Sequence, residues 1–499
     1  MRDATSKANR RDFLKTIGGA LGGISLLGHG TARGQAIGSM PNGYKFYRVL
    51  TANEGGTFGT FENHLGNMTG SVMMASPGSG TGIGYVYVHG TRNPRYGKAW
   101  PGVFEVAIGF DSTPPVVGRV LPMAIEGLPI YPGGVAVTVG HIGTGASNSL
   151  GEYVTTISPA EPSETIAVAN SPGVYLYRSG GVGTWSRIIG FGDPAPDDSF
   201  YGGDFGDVAL DDDENLLLAA ATTQSPGDAL SGFAGSQALI ATSLSASESA
   251  SGRVVLRTGD MLPFVPAAIE SVGLIDLAAN HAFAAQLSAK RLDRTVTRSG
   301  TALMVGNTQG GQAEQRIVAA STELISPERA SHLHITSGQT FFGPRVDPQQ
   351  DVAFVTHDGT FEPSTGSNDV EMLGYYSRGV PHQLQRTGMD AGSGAVVTFG
   401  APCINSTGLM YGTKLLGDGT TQLYISDGEN SDVVVQSRDR LPGRAPEGDL
   451  MLTEILFGQH PTQVDSLGRL AFTAEFLLNP SRPEDPKNVI TCLVMGIPE

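Results

Sequence analysis

Cysteine is almost missing from these 499 residues: there are two, Cys403 and Cys492, with no CxxC or CxxCH spacing. That excludes a thiolate-held zinc or iron-sulfur centre and a c-type haem. The two fall in different repeats of the chain, which disfavours a bridge between them. Charge is sparse too, at 16% of residues, and the excess of Ala, Glu, Lys and Leu that marks coiled coils and helical bundles is absent. Cations are the scarcer sign, 32 against 48 acids. Residues 1 to 36 hold six of those bases and two of the acids, so the remainder carries 26 against 46. A surface of that sign repels nucleic acid and anionic membranes. No apolar run approaches the roughly 20 residues that span a bilayer.

Turn-formers are what the chain has in plenty: 69 Gly and 30 Pro. They are scattered, not periodic in threes, and 40% of residues are hydrophobic, which excludes collagen and points to a folded, β-rich protein. A length near 500 ordinarily suggests three domains, but one closed β-structure can absorb it.

The N-terminus runs from basic NRRDFLK (Asn9 to Lys15) into apolar IGGALGGISLL (Ile17 to Leu27) and a polar stretch ending GQA at Ala36. A basic, then apolar, then small-residue order is that of a secretory signal. Arg10 and Arg11, followed by Phe13, Leu14 and Lys15, resemble the twin-arginine export motif. The apolar part is too short to cross a hydrocarbon core of about 30 Å. We therefore expect residues 1–36 to be an export signal, residues 37–499 to be one domain, no transmembrane anchor after signal removal, and a periplasmic or secreted location.

Internal repetition organises the rest. VVVQSRDRLPG (Val433 to Gly443) followed by QVDSLGRLAFTAEFL (Gln463 to Leu477) has counterparts in RVVLRTGDMLP with LIDLAANHAFAAQL, in WSRIIGFGDPAP with ALDDDENLLLAAAT, and, for the second half, in RVDPQQDVAFVT and CINSTGLMYGTKL. The aligned anchors are Asn67, Asp211, Asp276, Asp347, Asn405 and Asp465, with a degenerate unit at Gly127 to Gly140. An anchoring Asp or Asn accepts hydrogen bonds from backbone two residues on and tolerates a tight turn. Near-continuous apolar strands such as VAFVT predict sheets packed on both faces. About seven four-stranded units stacked round an axis make a β-propeller. VITCLVMGI (Val489 to Ile497) is a third strand lacking a fourth, and YKFYRVL (Tyr44 to Leu50) is a fourth lacking its first three. Their pairing would close the ring and remove an edge. Residues 91–184 fit the pattern poorly and are expected as an irregular insert.

Asn405 to Gly408 (NSTG), Asn67 to Gly70 (NMTG), Asp465 to Phe472 (DSLGRLAF) and the GDMLP and RDRLPG segments resemble the exported tandem-repeat proteins described by an NxxGxxAF motif. The resemblance covers about 185–499 well and 44–90 weakly, and departs from the motif at Glu214 and His281. It implies a propeller-like fold and an extracytoplasmic location, and no reaction.

Several residues invite a chemical reading. Asp193, Asp260 and Asp439, with Asp390 displaced by one, end fourth strands; a ring of carboxylates could hold a cation, but a feature repeated in most blades serves the blade as a turn cap. The DDDE at Asp211 to Glu214 lacks the spacing of a calcium loop. His332 and His334, two apart on a strand, suit a metal but have no identifiable third ligand. TRNPRYGKAW sets Arg92, Arg95 and Lys98 beside Tyr96 and Trp100, a combination suited to an anionic or sugar ligand. With His89 and His141 flanking, Arg95 and Tyr96 could serve β-elimination on a uronate. GxSxG, P-loop, GxGxxG-helix and HExxH signals are missing. The sequence thus supports an exported binding or interaction module with a glycan or protein ligand. A lyase-type enzyme on an anionic polysaccharide and a metal-binding periplasmic protein are the alternatives, and no cofactor is identified.

Overall fold

The computed structural model describes residues 39–52, 64–75, 82–93, 99–160, 172–179, 183–225, 235–244, 252–291, 298–311, 314–321, 324, 334–335, 342–357, 371–377, 380–389, 394–442, 448–458, 463–479, 481 and 488–499. Its strands form seven sheets in chain order, each built on an antiparallel up-and-down meander, with the two-residue strand His334–Ile335 added in parallel to the fourth. This is the seven-bladed propeller that the repeats predict. The innermost strands of the first four blades are His64–Ala75, Val137–Ser147, Phe200–Leu210 and Ala267–Ala278. The fifth begins with Phe342–Val346, the sixth with Val396–Phe399 continued by Cys403–Ile404, and the seventh with Leu450–Leu456.

The ring closes as the strand count implies. Tyr44–Thr51 pairs antiparallel with Val489–Pro498, from Tyr44 opposite Pro498 to Thr51 opposite Cys492, and so supplies the outer strand of the seventh blade. Tyr44 pins this seam, its hydroxyl donating to Gly468 O at 2.9 Å and lying 3.2 Å from the Tyr411 hydroxyl of the sixth blade. Gly496 is required here, because a side chain there would meet the Phe46 ring at 2.7 Å.

The core lies between blades rather than within them. Phe104, Val106 and Met74 of the first blade pack with Ala471 and Leu493 of the seventh, and Leu217 and Leu239 of the third with Phe283 and Met304 of the fourth. Each strand is therefore apolar on both faces, which is why the repeat reads as nearly unbroken hydrophobic runs. Cys403 and Cys492 are both buried free thiols.

The anchor turns share one geometry. The side-chain Oδ1 of Asn148, Asp211, Asp347, Asn405 and Asp465 accepts the backbone N–H groups two and four residues on, at 2.8–3.1 Å. The third residue after the anchor is left-handed in all five: Gly151, Glu214, Gln350, Gly408 and Gly468, with φ between 61° and 82°. The glycine of NxxG is thus a backbone requirement that Glu214 and Gln350 meet under strain.

Four sequence assignments change. Residues 91–184 are not an insert: they supply the last two strands of the first blade and most of the second, whose strands include Glu152–Pro159 and Gly173–Arg178. The missing anchor is Asn148 in NSLG, 63 residues before Asp211, rather than anything in Gly127 to Gly140. Asn67 lies inside the first inner strand, well before its turn, so its NMTG is not an anchor. Asp276 sits two residues ahead of its own turn, where Ala278 opposite Ala282 takes the anchor place, and instead accepts the N–H of Val346 in the fifth blade at 2.8 Å.

Candidate functional site

The two faces of the ring differ in construction. On the turn face, where the anchor turns gather, Asn148, Asp211, Asp276, Asp347, Asn405 and Asp465 surround an axial pocket of about 220 Å³. Burial pushes the Asp276 carboxyl up to about 6, with Arg345 opposing the rise. Burial, and behind it the charge of Asp351, pushes Asp347 up to about 7. Most of these carboxylates are committed to their own turns. Among the described residues no group of three or more His, Cys, Asp or Glu could hold a metal ion.

The opposite face, where one blade hands over to the next through a short hairpin, holds the candidate site. A groove of about 340 Å³ is lined by His141, Thr144, Thr156, Ser158 and Phe205, among others. Its position follows from two irregular inner strands. The second blade's inner strand slips register between Val139 and His141 and again between Ile142 and Gly145, and the third blade's slips on both sides of Phe205. Each slip bends a strand and re-aims side chains, so the groove opens where two bent strands face one another. Thr144 Oγ1 donates to Asp207 Oδ1 at 2.7 Å across it, and Asp207 Oδ2 accepts the Ile275 N–H of the fourth blade at 3.1 Å, fixing three blades together.

The His141 side chain is 75% exposed, and Nδ1 lies 3.2 Å from Glu126 Oε1. Glu126 donates its N–H to Pro101 O at 2.9 Å, and the Trp100 ring lies 3.6 Å from where a side chain on Gly127 would begin. Trp100, 38% exposed, pairs across strands with Arg92. The structure therefore joins three residues singled out in the sequence, Arg92, Trp100 and His141, along one rim of the first and second blades. Arg95, Tyr96 and Lys98 lie outside the described residues.

His89 does not belong to this rim. Its Nε2 is 3.2 Å from the hydroxyl of fully buried Tyr153, and burial pulls the imidazole down to about 4, leaving it neutral. Tyr153 pairs with Ser147 and His141 with Ser158, so about 16 Å of strand separates the two histidines' partners. His89 is a packing residue held by a hydrogen bond. His334 lies in a two-residue strand parallel to Ala320–Ser321; its side chain, and all of His332, are outside the described residues.

The repeated acids are turn caps. Asp193, Asp260 and Asp439 each accept the backbone N–H three residues earlier, at 2.7, 2.9 and 2.9 Å. Asp390 lies outside the described residues, and Asp212 to Glu214 form a turn. Sequence reading missed Phe205, Thr144 and Asp207. A weak signal was available: the GGDFGD run sets two glycine breaks around an aromatic within a strand, a pattern that marks bulges.

No protein-family model matches the chain, and no curated protein does. Among solved structures it is similar to the polysaccharide lyase Uly1, at 11% identity and a TM-score of 0.42, over 91% of this chain and 97% of that one. It is also similar to the six-bladed propeller lectin of Aleuria aurantia, at 10% identity and a TM-score of 0.31, over 74% and 95%. A third is Trypanosoma rangeli sialidase, at 11% and 0.33, over 73% of this chain but only 55% of the sialidase. The chain spans about half the length of that enzyme. Likenesses this remote carry nothing about ligand or chemistry.

Proposed function

We propose that this chain is an exported glycan-binding propeller whose ligand lies on the hairpin face, in the groove beside His141. The observation that carries the proposal is the groove's lining. It offers uncharged hydroxyls from Thr144, Thr156 and Ser158, one aromatic ring from Phe205 and an exposed histidine, with the Trp100 and Arg92 pair on the adjoining rim. Hydroxyl-rich ligands are held by such hydrogen-bonding groups together with an aromatic face. Export rests on the reading of residues 1–36 as a twin-arginine address and on the resemblance to exported NxxGxxAF repeat proteins.

The test is a panel of neutral and uronate-containing oligosaccharides titrated calorimetrically against the purified protein. Phe205→Ala should weaken binding by roughly tenfold, whereas Tyr411→Phe, buried in the sixth blade, should leave it unchanged. Absence of binding to every member of the panel would defeat the proposal.

A second reading is favoured by one contact. Glu126 holds Nδ1 of His141, the arrangement by which a carboxylate orients an imidazole for proton transfer, and Arg92 on the same rim could neutralise a uronate. β-Elimination would then yield unsaturated uronate products, and their ultraviolet absorbance distinguishes lyase from lectin. Tyr153 is excluded as the acid in this scheme by its burial.

A further inference from the structure

We infer that Phe264 is a second sugar-stacking position, one blade round the hairpin face from the groove; this rests on the glycan-binding proposal above. Three hairpin tips on that face place a left-handed residue directly after a proline. They are Pro132–Gly133, Pro196–Asp197 and Pro263–Phe264, with φ of 60°, 76° and 60°. Glycine and aspartate suit that backbone; a bulky aromatic does not. Burial offers no compensation, because Phe264 is 90% exposed. The fold therefore gains nothing from this ring, and a strained residue that the fold does not need points to a ligand.

The mount is rigid. Leu262, two residues before, is buried in the core between the third and fourth blades, its N–H donates to Ala267 O at 2.9 Å, and Gly259 and Asp260 exchange hydrogen bonds with Ile269. Arg257, at the end of the third blade's outer strand where it enters this hairpin, donates from Nη2 to Asp197 Oδ2 of the preceding hairpin at 2.6 Å, with both side chains partly exposed. An exposed ring can take the C–H face of a pyranose, and the charged pair in the adjoining hairpins offers a donor and an acceptor for equatorial hydroxyls of a longer chain. The acids Asp197, Asp198 and Asp260, on a chain of formal charge −16, set this position against anionic glycans and anionic bilayers. The ligand class is a neutral glycan long enough to reach from the groove to the fourth blade.

Cellohexaose, xylohexaose and laminarihexaose, each with its disaccharide, are titrated against wild type, Phe205→Ala and Phe264→Gly. Phe264→Gly should weaken a hexasaccharide that wild type binds by roughly tenfold, leave its disaccharide unchanged and raise the unfolding midpoint by about 1 °C. A hexasaccharide bound equally by wild type and Phe264→Gly overturns this inference and leaves the groove intact. If wild type binds none of them, the neutral-glycan reading fails at both positions. Binding to phosphatidylcholine vesicles that is lost in Phe264→Gly would assign the ring to a membrane and likewise overturn it.

Discussion

Replacing Asp347 with asparagine should stabilise the protein at pH 8 and do nothing at pH 4. Asp347 is 2% exposed, and its carboxyl is raised from 3.8 to about 7 by burial first and by the charge of Asp351 second. The folded state therefore holds this proton across a range in which the unfolded chain releases it. Below about pH 4 both states are protonated and nothing is lost. Stability falls as pH rises through that window, and the full penalty is present above about 7. A rise of that size between the unfolded and folded states is worth about 4 kcal/mol. Asparagine removes the charge while keeping the Oδ1 acceptor, and the turns at Asn148 and Asn405 use asparagine for the same two hydrogen bonds. Urea unfolding followed by tryptophan fluorescence at pH 4, 6 and 8 measures the difference from wild type. Asp465→Asn is the opposite control: Asp465 faces Arg469 Nε at 2.6 Å, with both side chains nearly buried, so the same change should cost roughly 1–3 kcal/mol at neutral pH. A stabilisation by Asp347→Asn that is absent, or equal at pH 4 and pH 8, would refute the reasoning.

Other outcomes follow from the same geometry. Gly408→Ala puts a side chain on a left-handed residue and should cost about 1–2 kcal/mol, whereas Glu214→Gly and Gln350→Gly should each gain up to about 1 kcal/mol, all read from urea midpoints. Tyr44→Phe removes a donor to Gly468 O at the ring seam and should lower stability by about 1 kcal/mol, with the hydrogen-exchange protection of Tyr44–Thr51 falling first. Cys403, fully buried with its thiol pushed up to about 12 by that burial, and buried Cys492 should resist alkylation in the native protein, and both should label after unfolding without reductant.

The blade plan was legible because a propeller writes its geometry into local chemistry: an acceptor side chain, two turn residues, a left-handed position, then an apolar strand. The closing strand was legible as well, since Tyr44 to Leu50 has the character of a fourth strand without a sheet to belong to. Errors arose where local chemistry and register part company. Asp276 has the right side chain two positions too early, and Asn67 has the right motif in the middle of a strand. Asn148 has motif and register both, but Val154 and Thr155 stand where the motif has Ala-Phe, which hid it. The groove was the least legible part, because it depends on register slips in two separate strands. His89 and His141 look alike in sequence, and only the depth at which each side chain ends separates a packing residue from an exposed one.

The seam between Tyr44–Thr51 and Val489–Pro498 also sets a timetable. Thr51 and Cys492 are bonded neighbours 441 residues apart in the chain, so on the ribosome the earliest strand waits for nearly the whole of synthesis before its partner exists. Until residues 489–498 emerge, six blades can form and the ring remains an open arc with an unsatisfied sheet edge at each end. Such edges invite pairing with the wrong chain. Completion is therefore a single late event, and a nascent chain stalled anywhere before it would present an aggregation-prone arc to the cell.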